Sequence, residues 1–185
     1  HDLYGTGFAG GKIVARASQP AAVKDELIGI TAELLQSLNG AMITGCDLNT
    51  SVEDMARLTA LTPHVLAAVG SSVDASAATA HGTLGAVEAV LKTQLKHAKP
   101  GRALVHGCGA VGSTVARSLV EQGWTVLTVD LNHERAAIPG AIPLDDGSSW
   151  WELEVDLLLP CSISGLITAE MTRAMRTSAV VPAAN

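Results

Sequence analysis

The chain has 185 residues and a formal net charge of −6 at pH 7, with apolar residues at 48% and aromatic residues at only 3%. That length accommodates one large domain or two small ones, with a core built from Ala, Val, Leu and Ile. The acidic balance, with no basic cluster to neutralise phosphates, argues against a nucleic-acid partner. No apolar run reaches bilayer-spanning length and the N-terminus has no signal-peptide pattern, so no membrane partner and a cytoplasmic location are expected. Cys46, Cys108 and Cys161 are scattered without a C-x-x-C spacing, which fits a reduced protein and no metal site. The chain opens on His1 without an initiator Met and stops on Asn185 at what resembles a strand end. It is expected to be incomplete at both ends.

Gly5 to Gly11 form a glycine-rich segment delivering Lys12, and Ile13 to Ala15 read as a short strand. Taken alone, Lys12 is a solvated loop cation. In the sharper reading, Gly10 and Gly11 let backbone crowd a bound ligand and leave Lys12 in a cleft as a base. Residues 22–38 have helical periodicity, with Leu27, Ile30, Leu34, Leu35 and Leu38 on one face, and Asn39-Gly40 ends that helix. Ala41 to Thr44 read as a brief strand leading into Gly45, Cys46 and Asp47. Thr50 and Glu53 have capping-box spacing for a helix through Met55 and Leu58. Asp47 therefore sits at a strand exit before a helix start, an address shared by site residues and by turn carboxylates that cap backbone amides. Leu61-Thr62-Pro63 breaks the structure, residues 70–76 read as a loop, and a long helix is expected over 77–96. A domain boundary near Ser72 separates 1–72 from 73–185.

Ala103 to Val105 is a short apolar run of the kind a parallel sheet buries on both faces. It runs into Gly107-Cys108-Gly109-Ala110-Val111-Gly112, then a helix striped by Val111, Val115 and Leu119 and closed by Gly123. A second strand, 124–129, ends on Asp130, about 20 residues past the glycines, where a dinucleotide-binding unit carries its ribose carboxylate. Gly107 permits the turn, Gly109 leaves room for a pyrophosphate on backbone N–H groups at the helix tip, and Gly112 lets the helix pack close. Asp130, followed by Leu131, favours NAD because a carboxylate accepts from two ribose hydroxyls and repels a 2′-phosphate. Arg135 lies close by in sequence. Farther on, 133–143 read as a loop or degenerate helix, Trp150-Trp151 as a short helix, 156–159 as a strand, 166–175 as a helix and 179–181 as a strand. The fold expected is α/β, a Rossmann-type doubly wound parallel sheet, plus part of a smaller α/β catalytic domain. In such a sheet Cys161, Ser162 and Asn185 face the same crevice as the glycine turn.

Together, Gly10-Gly11-Lys12, the run Ile43 to Met55 around Asp47, Ser76 to Gly82 around Thr79, the nucleotide turn and Pro160-Cys161 resemble the glutamate/leucine/phenylalanine/valine dehydrogenase family. The likeness follows the order and spacing of these motifs along nearly the whole chain and is strongest to the leucine and phenylalanine branch. It implies an NAD-dependent enzyme that reversibly converts an apolar or aromatic L-amino acid to its 2-oxo acid and ammonium, and a homo-oligomer. It also implies that Lys12 activates the attacking water and Asp47 moves protons at the substrate nitrogen. Thr79, Cys161, Ser162 and Asn185 would lie beside the nicotinamide end. Gly45, matching a position that lines the substrate pocket, would make room for a larger side chain, unless it only relieves backbone strain. Asn49 departs from the glycine usual after the aspartate, and Ser162 to Ser164 depart from the usual small-residue run. Another nicotinamide oxidoreductase, or a non-catalytic NAD-binding relative, are the competing readings.

Overall fold

The computed structural model describes residues 5, 7–47, 49–66, 74–95 and 100–183. It divides into two compact units, His1–Val73 and Asp74–Asn185.

In the second unit, helix α3 (Ala75–Val90) precedes a five-stranded sheet. Its strands are β1 (Arg102–His106), β2 (Thr125–Val129), β3 (Ile142–Pro143), β4 (Val155–Pro160) and β5 (Thr177–Val180), in the order β3-β2-β1-β4-β5. Every pairing is parallel. Helix α4 (Ala110–Glu121) connects β1 to β2, α5 (His133–Ala136) lies between β2 and β3, and α6 (Ala169–Ala174) between β4 and β5. The chain winds outward from β1 in one direction and from β4 in the other, so the switch point falls where β1 and β4 end. This is the Rossmann-type α/β sheet expected.

The strands build this arrangement because both of their faces are apolar. Ala103, Val105, Val126, Leu157 and Leu159 join one buried cluster with Ala80, Val87, Val115, Ala116 and Leu119 of the helices. Leu104, Leu127, Val129, Val155 and Leu158 join the other, around Trp150. Side chains alternate between faces along a strand, so an uninterrupted apolar run can only be satisfied by layers on both sides. Thr128 is fully buried among them and donates its hydroxyl to Ala136 O at 2.7 Å.

Local caps move several element ends. Asp74 accepts from Ser76 N at 2.8 Å and Ala77 N at 3.2 Å, which starts α3 two residues ahead of Ala77. That helix then widens into a π-helical turn, Leu91–Leu95, rather than running regularly to Lys96; Lys96, His97 and Lys99 lie outside the described residues. Thr168 caps α6 by accepting from Met171 N at 3.2 Å, so this helix is shorter than 166–175.

In the first unit, α1 (Lys24–Ser37) and α2 (Val52–Leu61) enclose a small core of Ala32, Leu35, Met55 and Leu58. The stripe expected on α1 is buried only in part: Leu35 is fully covered, but Ile30, Leu34 and Leu38 are 54%, 42% and 38% exposed. Among the described residues α2 is the helix packed on α1, and a single such contact buries a narrow seam that leaves the flanking apolar residues exposed. The strands expected at 13–15 and 41–44 do not form. Among the described residues a parallel bridge, Thr44 to Val65, stands in their place, and Val14 is 83% exposed. A strand is stable only with a hydrogen-bonded neighbour along its length. The capping box falls one residue later than Thr50 and Glu53. Ser51 accepts from Asp54 N at 3.3 Å, and Asp54 Oδ2 accepts from Ser51 N at 2.8 Å.

Candidate functional site

The glycine turn is fixed by the ends of β1, β2 and β4. Gly107 donates to Val129 O at 2.7 Å and Cys161 donates to His106 O at 2.7 Å, extending the ladders into the loop. Gly107 has φ +91°, a left-handed conformation, and a Cβ there would also meet the Ser162 backbone at 2.7 Å. A Cβ on Gly112 would strike the Gly107 carbonyl and approach Cys161 Cβ to 3.0 Å. Both positions need glycine for the protein's own packing. Gly109 is different, because a Cβ there would have nothing within 4 Å. Its glycine is not demanded by any described part of the chain, and the open space sits at the N-cap of α4. The first N–H groups of a helix, here on Ala110, Val111 and Gly112, have no intrahelical acceptor and carry the positive end of its dipole. Space for backbone contact beside an anion-binding helix tip fits the pyrophosphate of a dinucleotide.

Asp130 closes the far side of the turn. Its Oδ2 accepts from Cys108 N at 2.7 Å and its Oδ1 from Asn132 N at 2.8 Å. An ionised carboxylate offers about four acceptor sites, so each oxygen keeps one for an outside hydroxyl. Leu131, next along, is 84% exposed. Burial and the Asp130 charge push the Cys108 thiol up to about 11. Burial, with Cys108 adding to it, pushes Cys161 up to about 12. At neutral pH both are protonated, which suits walls of a site and not nucleophiles. Thr79, on the first turns of α3, is exposed and donates to Ala75 O at 2.9 Å. Asn185 lies outside the described residues.

His106 escaped the sequence reading, although its place directly before the first glycine was a usable signal. It is 5% exposed, with Nδ1 3.1 Å from Ser162 Oγ and its ring 4.7 Å from that of Trp150. Burial lowers its pKa below the ordinary 6.5, against the opposing pull of Asp146 and Asp130. The side chain thus ties the end of β1 to Ser162 after β4, across the switch point.

In the first unit Lys12 Nζ lies 2.7 Å from Asp47 Oδ2, with side chains 60% and 59% exposed. The sequence reading left Lys12 open between loop cation and base, and the fold gives it a carboxylate partner. Asp47 follows the bridge residue Thr44 and is set by a turn: its N–H donates to Thr50 Oγ1 at 2.7 Å, and Thr50 N donates back to Asp47 O at 3.0 Å. Asn49 has φ +60°. The left-handed conformation explains why glycine suits this position and why Asn, the side chain that best tolerates it, can stand there.

Gly11 faces Met42, whose Cε would be 3.5 Å from an added Cβ, while Gly10 is open. A Cβ on Gly45 would meet Leu66 Cδ1 at 2.8 Å, so the room beside this glycine is taken by an apolar side chain of the same unit that is itself 51% exposed. Among the described residues no group of three or more His, Cys, Asp or Glu is placed to hold a metal ion. No described helix is long and apolar enough to cross a membrane.

No family model matches the chain. Individual proteins do. Phenylalanine dehydrogenase of Bacillus thermotolerans is 27% identical over 96% of this chain and 50% of its own length. Leucine dehydrogenase of Bacillus subtilis is 27% identical over 98% of this chain and 52% of its own. Among solved structures, a hetero-hexameric glutamate dehydrogenase from Thermus thermophilus superposes with a TM-score of 0.68 at 22% identity, over 86% of this chain and 48% of that one. The chain spans about half the length of these relatives. Motif order, fold and sequence likeness point the same way: the chain is similar to amino-acid dehydrogenases that act on phenylalanine and leucine, and shares the fold of a glutamate dehydrogenase.

Proposed function

We propose that the chain is part of an NAD-dependent amino-acid dehydrogenase, which reversibly deaminates an apolar or aromatic L-amino acid to its 2-oxo acid and ammonium. The observation that carries this reading is the Lys12–Asp47 pair at 2.7 Å, an amine and a carboxylate held together and open to solvent. Oxidative deamination needs the substrate ammonium to lose a proton before its α-carbon is oxidised, and then needs a water activated against the resulting imine carbon. Asp47 suits the first task, since a half-exposed carboxylate can take the proton and release it to solvent. Lys12 suits the second by orienting and polarising that water, with Asp47 2.7 Å away to carry the proton. When bound, the nicotinamide ring supplies the hydride acceptor.

Gly109, Ala110, Val111 and Gly112 would hold the pyrophosphate, and Asp130 the ribose hydroxyls through its remaining lone pairs. Preference for NAD over its 2′-phosphorylated form rests on charge. Asp130 and Asp146 both act on His106, and Asp145 stands 4.0 Å from His133, so a further phosphate would enter a carboxylate-rich edge. Leu66 against Gly45 suits an apolar substrate side chain. Assembly into an oligomer is part of the same proposal, supported by the hexameric state of the Thermus thermophilus glutamate dehydrogenase that shares the fold.

The test is a spectrophotometric panel of L-amino acids with NAD and with NADP, using the intact protein. Turnover of phenylalanine, leucine or similar side chains with NAD is expected. NADH binding without turnover of any amino acid would overturn the proposal.

A further inference from the structure

The loop that carries Asp47 is held by a lysine outside the proposed catalytic pair. Lys24, at the start of α1, places Nζ 2.7 Å from Asp54 Oδ2 and 2.9 Å from the carbonyl of Asn49. Asp54 is 3% exposed, and the same Oδ2 accepts from Ser51 N at 2.8 Å. One ammonium therefore joins three points: the first turn of α1, the left-handed residue two positions after Asp47, and the Ser51–Asp54 capping box that begins α2.

We propose that Lys24 is a positioning residue, stapling Asn49 and the Ser51–Asp54 cap to α1 so that Asp47 is presented to Lys12 at hydrogen-bonding distance. This rests on the functional reading above, in which Asp47 is the proton carrier. Two physical points support it. A buried carboxylate is stable only when paired and hydrogen-bonded, so Asp54 and Lys24 hold each other more firmly than the exposed Asp25–Arg57 pair between the same helices, whose side chains are 85% and 54% exposed. A residue at φ +60° also has no intrinsic preference for its conformation, and the Lys24 contact to its carbonyl helps hold it there. Burial alone would raise the Asp54 pKa, yet it is lowered, with the Lys24 hydrogen bond as the largest cause.

The test compares Lys24→Met, which keeps the stem and removes the charge, with Lys24→Arg, in the intact protein. For Lys24→Met, amino-acid turnover should fall on the order of ten- to a hundredfold with NADH affinity unchanged, as expected when a reacting group is misplaced by about 1 Å. Amide hydrogen exchange should quicken at Thr50 and Ser51 by about tenfold while the amides of Leu35 and Leu58 keep their protection. Lys24→Arg should restore much of both. Unchanged exchange at 50–51 would overturn the staple whatever happens to turnover. Exchange that quickens equally through α1 and α2 would overturn the positioning role by showing a general loss of structure. If the unaltered protein turned over no amino acid, the functional reading would fall, while the exchange pattern would still decide whether Lys24 holds the loop.

Discussion

The glycine turn of residues 107–112 hangs from strands whose side chains are buried on both faces, and its own residues fit so closely that two of its three glycines admit no side chain. The Lys12–Asp47 pair lies more than half exposed, in a unit whose buried apolar cluster, among the described residues, is four side chains on two helices. There polar ties replace packing: Lys24 to Asp54, Arg57 to Asp25 at 2.6 Å, and Gln36 to Leu61 O at 2.7 Å. Binding a dinucleotide needs a rigid cradle that a sheet core supplies. The Lys12–Asp47 pair, by contrast, stands open to solvent, where two charges carry little desolvation cost.

That contrast can be broken most forcefully at Lys12. Lys12→Ala should lower turnover by about a thousandfold, as for loss of a group that takes part in proton transfer. Thermal stability should stay within about 1 kcal/mol because the pair is exposed. Equal losses of turnover and NADH affinity would remove Lys12 from the chemistry. In the other unit the order reverses. Gly112→Ala should cost about 3 kcal/mol of stability by forcing α4 away from the Gly107 carbonyl. Gly109→Ala should leave stability within about 0.5 kcal/mol and weaken NADH binding by at least about tenfold, read by calorimetry and fluorescence titration. A Gly109→Ala protein that binds NADH normally would show that the space beside it takes no ligand.

Asp130→Ala sharpens the comparison further, since it should act on structure and cofactor together. Losing its bonds to Cys108 and Asn132 should cost about 1.5–3 kcal/mol of stability, and NAD should lose more affinity than NADP. An unchanged preference would exclude Asp130 from cofactor choice. The smallest effect concerns pH. The folded-state pKa of His106 is lowered, chiefly by burial, so the unfolded chain binds the proton more readily. Its contribution is present above the ordinary value of 6.5 and is lost as pH falls from there through the folded pKa. His106→Gln should flatten the fall in denaturation midpoint over that window, and an unaltered slope would mean that another group titrates.

Nearly all of the sheet was legible from the chain, because the alternation of short apolar runs with helical stripes leaves few ways to bury both faces. The glycine turn and Asp130 were legible for the same reason: their spacing follows strand and helix geometry. The first unit was read less well. Its expected strands, 13–15 and 41–44, failed because an apolar run says nothing about whether a neighbour is present. The stripe on α1 failed in part because periodicity gives a face and not the width of its partner.

The sequence by itself determined four of the five strands of the parallel sheet and the turn at its switch point, since these depend on local spacing, while the short β3 lay within a stretch read as a loop or degenerate helix. Only the tertiary structure decided that Lys12 meets Asp47, that His106 reaches Ser162, and that Gly109 is the open glycine of the three. It also set Lys24 between Asn49 and Asp54. Each of those depends on distances between segments far apart in the chain, which packing fixes and composition does not.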